Sequence, residues 1–76
     1  MPVAAQEARQ EARHFSPDKF IDAMRDAEMT PLQLSRKMGA SHEAIARWMA
    51  GLASPKPGYA QYAADVLDID IDDLYE

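Results

Sequence analysis

Three aspartates spaced by two, Asp68, Asp70 and Asp72, are the first residues in this 76-residue sequence whose type and interval suggest a chemistry. Carboxylates at that interval open a calcium loop, which also needs glycine at its sixth position for a sharp turn. Asp73 stands there instead, so calcium is excluded. Zinc is excluded as well, because the two histidines, His14 and His42, have neither a cysteine nor a helical partner to complete a tetrahedral set. No nucleophile and base occur at a catalytic spacing, and a domain of this size has little room for a deep cleft. The sequence therefore predicts no enzyme, no metal, no cofactor and no small-molecule substrate.

The charged residues point elsewhere. A net charge of −5 argues against an anionic partner only until its distribution is read. Residues 1–29 carry a net −2, residues 30–58 a net +3, and residues 59–76 a net −6 with no basic residue at all. The acidity lies at the two ends and leaves a positive island in the middle, formed by Arg36, Lys37, Arg47 and Lys56.

The elements that must position those residues fit into one small domain. A chain of 8.5 kDa buries only about 60% of its unfolded surface, and with no cysteine its core must come from the 47% of residues that are apolar. No apolar run approaches the roughly 18 residues of a membrane span, and the first residues lack a signal-peptide pattern, so a cytoplasmic protein with no membrane partner is expected. Residues 1–15 form an arm or a short helix built on two Gln-Glu-Ala-Arg tetrads, and residues 16–76 form the domain. Ser16-Pro17-Asp18 starts a first helix over residues 17–27, with Phe20, Ala23, Met24 and Ala27 on one face. Thr30-Pro31 starts a second, which carries Leu32, Leu34, Ser35 and Met38 and stops at Gly39. Ser41 caps a third over residues 42–50, which turns Ile45, Trp48 and Met49 inward and ends at Gly51. Residues 53–58, with two prolines and a glycine, read as a loop. Tyr59, Tyr62, Ala63, Val66 and Leu67 mark a fourth helix. The alternation of residues 68–72 taken alone resembles a strand, but a lone strand cannot satisfy its backbone. A short fifth helix capped by Asp70, with Ile71, Leu74 and Tyr75 behind it, is predicted instead.

Gly39-Ala40-Ser41 is so short a connection that the second and third helices must meet at a steep angle, which is the geometry of a helix-turn-helix. Gly39 can take the positive φ of the turn, and Ile45 and Trp48 fill the wedge between helices. From Phe15 to Tyr75, and most specifically over residues 29–51, the sequence resembles the Cro and lambda-repressor type (Xre-like) helix-turn-helix family. The later residues 68–75 resemble the family's closing helix. The resemblance implies an all-α, compact five-helix DNA-binding domain with the helix-turn-helix at helices 2 and 3. It implies a sequence-specific regulator of bacterial or phage origin that represses by occupying an operator in double-stranded DNA, as a homodimer on the DNA.

Carried over residue by residue, the resemblance places Ser41, His42, Glu43, Ala46 and Arg47 at base edges. The planar fork of Arg47 suits guanine O6 and N7, and Glu43 suits a cytosine amino group. Pro31 stands where many members have glutamine and has no N–H to give. Phosphate contacts at the start of the second helix then fall to the Thr30 hydroxyl or the Leu32 and Gln33 amides. Ala50 and Leu52 replace the usual asparagine and lysine, leaving Ser54 and Lys56 as phosphate contacts after the third helix. The competing expectation is a protein-interaction adaptor, antirepressor-like or antitoxin-like, that uses the acidic C-terminal face. Scattering of Arg36, Lys37 and Lys56, or their pairing with the aspartates, would favour that alternative; concentration of the net +3 centre on the recognition side favours DNA.

Overall fold

Among the described residues, three of the four α-helices begin with the same device, a residue of extended backbone followed by proline at the first helical position, where its missing N–H is not needed. In the computed structural model, which describes residues 14–76, these are α1 (Pro17–Asp26), α2 (Pro31–Met38) and α4 (Pro57–Leu67). The remaining helix, α3 (His42–Ala50), starts from Ser41 without proline. Hydroxyls cap three of the four: Ser16 Oγ accepts from Lys19 N, Thr30 Oγ1 from Gln33 N, and Ser41 Oγ from Ala44 N. The two Gln-Glu-Ala-Arg tetrads lie outside the described residues.

The core is drawn from every element. Phe20, Leu34, Ile45 and Leu74 are its largest fully buried side chains. Around them the rings interlock: Phe15 lies 5.5 Å from Phe20, and Phe20 meets Trp48 edge-on at 6.2 Å. Trp48 is thereby a core residue joining α1 to α3. Helix α4 buries Ala60, Ala63 and Ala64, and those small side chains let α2 pack closely against it.

The end of the chain departs from the five-helix expectation. Residues Ile71–Leu74 form a single 3-10 turn, held by bonds from Asp73 N to Asp70 O and from Tyr75 N to Asp72 O. Four residues bonded three apart are enough to bury Leu74, and no i to i−4 ladder follows, because Tyr75 is already extended. Asp70 occupies the cap position without a side-chain hydrogen bond. Tyr75 then pairs antiparallel with Phe15 in an isolated bridge, with Ser16 N donating to Leu74 O and Glu76 N to His14 O. Phe15, placed by the sequence at the end of the arm, is buried in the core.

The fourth helix also starts earlier than predicted. Pro57 and Gly58, read as loop punctuation, form its first turn, and Lys56 is its cap residue. Among the described residues no helix is long and apolar enough to cross a membrane.

Candidate nucleic-acid interface

The turn between α2 and α3 rests on a glycine and a serine. Gly39 has φ of +72°, a left-handed conformation that costs a residue with Cβ but not glycine. Its N–H donates to Ser35 O at 2.9 Å, and the Ser35 hydroxyl donates to Ala40 O at 2.7 Å, so one residue of α2 holds both sides of the turn. A further tie comes from α4, where the Tyr62 hydroxyl donates to Lys37 O at 3.2 Å. Ile45 and Trp48 anchor α3 from within.

That anchoring decides what α3 shows to solvent. Ser41, His42, Glu43, Ala46 and Arg47 are all exposed. Ser41, Glu43 and Arg47 also line one shallow depression of about 210 Å³, together with Ala53 of the following loop. Within it Arg47 Nη2 donates to Glu43 Oε2 at 3.2 Å across one helical turn. Both side chains are more than half exposed, so the pair contributes only about 0.3–0.5 kcal/mol and opens readily. His42 and Ala46 are exposed beside this depression without lining it.

At the start of α2, Thr30 and Gln33 are joined reciprocally. Gln33 N donates to Thr30 Oγ1, and Thr30 N donates to Gln33 Oε1 at 2.9 Å. This capping box fixes the Gln33 amide group by its oxygen and leaves its NH2 to donate outward. The Leu32 N–H has no partner among the described residues, and neither have those of His42 and Glu43 at the start of α3. Ser54 and Lys56 are exposed and make no hydrogen bond by their side chains among the described residues.

One contributor escaped the sequence reading. Because α4 begins at Pro57 with no side-chain cap, the Gly58 and Tyr59 amides have no partner among the described residues, next in sequence to the exposed Lys56. The signal was present, since Pro57 follows Lys56 as Pro17 follows Ser16. Amides at a helix start carry the positive end of the macrodipole and favour an oxyanion.

The two ion pairs among the described residues are Arg47 with Glu43 and Arg25 with Asp22. Arg36, Lys37 and Lys56 therefore pair with no aspartate there, and all three are exposed.

Together these features define a helix-turn-helix, repressor-like fold. No family model matches the chain, and no curated protein matches it by sequence. Among solved structures the chain is similar to the SOS-response transcriptional repressor LexA from Eubacterium rectale, with a TM-score of 0.73 and 28% identity. The match covers 79% of this chain and 64% of that chain, so it spans less than two thirds of the LexA chain's length.

Proposed function

We propose that this protein is a sequence-specific DNA-binding transcriptional regulator, a bacterial or phage repressor that acts by occupying an operator. The observation that carries this reading is the outward face of α3. A helix anchored by Ile45 and Trp48 presents Ser41, His42, Glu43, Ala46 and Arg47 to solvent, on a fold shared with a transcriptional repressor. Arg36, Lys37 and Lys56, which have no ion-pair partner among the described residues, support it. Arg47 reads a base, and its weak, exposed pair with Glu43 opens to let it do so. Thr30, Leu32, Gln33, Ser54 and Lys56 hold phosphates, joined by the Gly58 and Tyr59 amides. The protein acts in the cytoplasm without cofactor or catalysis. One short helix reads only a few base pairs, so two chains bind across half-sites about one helical turn apart.

Selection of bound duplexes from a random DNA pool tests this directly. The expected outcome is a palindromic motif, with two chains per duplex by sedimentation. Recovery of no motif above background removes the reading.

A further inference from the structure

Opposite the DNA-facing end of α4 lies a second surface. The C-terminal parts of α1 and α4 and the 3-10 turn enclose an open cleft of about 650 Å³. Its floor is apolar, formed by Ala23, Ala27, Met29, Val66 and Ile69, of which Ala27 is exposed and the rest half-buried. Four exposed carboxylates stand around that floor, those of Asp22, Asp26, Asp68 and Asp73. Asp22 is paired with Arg25, whereas Asp26, Asp68 and Asp73 have no ion-pair partner among the described residues. Lys19 is the one cation in the lining, its Nζ donating to Tyr75 O at 2.8 Å, and against four aspartates it leaves the lining net negative.

We propose that this cleft is a docking groove for a basic amphipathic helix of another protein, whose apolar stripe covers the floor while its lysines or arginines face the aspartates. Charge complementarity selects the sign of the partner, since three unpaired carboxylates repel nucleic acid and acidic peptides alike. The walls select its conformation. They are mainly helices, whose backbone groups are bonded internally, so the groove offers an extended peptide no sheet edge to extend. A helix suits such a groove, since its backbone groups are already bonded internally and it offers only side chains to the floor. The small side chains of Ala23 on α1 and Ala27 at its C-cap leave space on the floor for a partner's apolar side chains.

The position of the groove gives it a use. Lys56 caps the start of α4 and Asp68 the end, and eleven residues separate the two surfaces by about 16 Å. One chain can therefore hold DNA at one end and a protein at the other, although the groove stands without the DNA reading.

The test is an NMR titration of the full chain with a synthetic helical peptide carrying leucine at i, i+3, i+4 and i+7 and lysine on its flanks. A scrambled peptide of the same composition serves as control. Binding should shift the amides of Ala23, Ala27 and Ile69. The combined variant Asp26→Asn, Asp68→Asn, Asp73→Asn should weaken it on the order of tenfold, and Ala27→Lys should abolish it. Arg47→Ala should bind the peptide as the parent does, which separates this surface from the DNA face. Equal affinity for the scrambled peptide, shifts centred elsewhere, or an unaffected triple variant each overturns the proposal.

Discussion

The two ends of α4 belong to regions built on opposite rules. Around its start, the helix-turn-helix places glycine wherever the backbone must turn left-handed, at Gly39 and Gly51. Around its finish, the same conformation is imposed on Glu28 and Asp68, with φ of +53° and +60°. An L-residue held there costs about 1–2 kcal/mol, less for aspartate, which tolerates it better. Asp68 also sets a negative charge against the negative end of the α4 dipole, and that helix has no basic residue in its last turn. The helix-turn-helix thus turns without backbone strain, and the acidic end holds its charges against local preference.

Both regions share one core, so the largest effect should erase the contrast. Trp48 packs against Phe20 from α1 and lies 6.0 Å from Tyr59 at the start of α4. Trp48→Ala should lower stability by about 3–5 kcal/mol, read by chemical denaturation, with both surfaces lost as the fold melts. A variant that stays as stable as the parent but loses DNA binding would mark Trp48 as a base-stacking residue rather than a core one.

Arg47 and Lys56 test the proposed DNA face alone. Arg47→Ala should cost about 1–3 kcal/mol on the selected duplex and relax preference at one position per half-site. Lys56→Ala should weaken all duplexes alike and reduce the salt slope by about one unit per bound chain. Titration of cognate and scrambled duplexes across a salt series separates them. If neither change alters affinity, the DNA face lies elsewhere on the molecule.

Gly39→Ala probes the turn. A Cβ there meets nothing within 4 Å, so sterics with neighbours contribute nothing and the backbone conformation carries the cost. Stability should fall by about 1–2 kcal/mol, seen as a lower melting temperature; an unchanged one would mean the turn relaxes without penalty.

Much of this contrast was legible in the sequence, for identifiable reasons. Helices α1 to α3 announce themselves by Ser16-Pro17, Thr30-Pro31 and Ser41, and by Gly39 and Gly51 at their ends. The outer face of α3 follows once Ile45 and Trp48, three apart, are assigned inward. The start of α4 was misplaced because Pro57-Gly58 fits both a loop and a first helical turn. The closing element was legible as a short helix behind Asp70 and only its 3-10 form was not, whereas the Phe15 to Tyr75 bridge leaves no periodic trace because it joins distant parts of the chain. The Tyr62 bond was hidden for a similar reason: its acceptor is a backbone carbonyl, which every residue has.

The smallest expected effect tests the acidic end by repairing it. Glu28 follows α1 in the position where glycine is usual, with its N–H donating to Arg25 O and Met29 N to Met24 O in a helix-closing pattern. Its side chain is exposed, so little packing is lost on removing it. Glycine relieves the left-handed strain but adds freedom to the unfolded chain, and the difference should leave Glu28→Gly more stable by about 0.5–1 kcal/mol. Glu28 does not line the groove, so peptide binding should persist in this variant while its melting temperature rises. The same change at Gly39 runs in the opposite direction, and the pair together measures the contrast: glycine gained at one end should stabilise, and glycine lost at the other should not. A Glu28→Gly variant that melts lower than the parent would mean that the glutamate side chain has a stabilising role there, and the acidic end would then not be strained in the sense described.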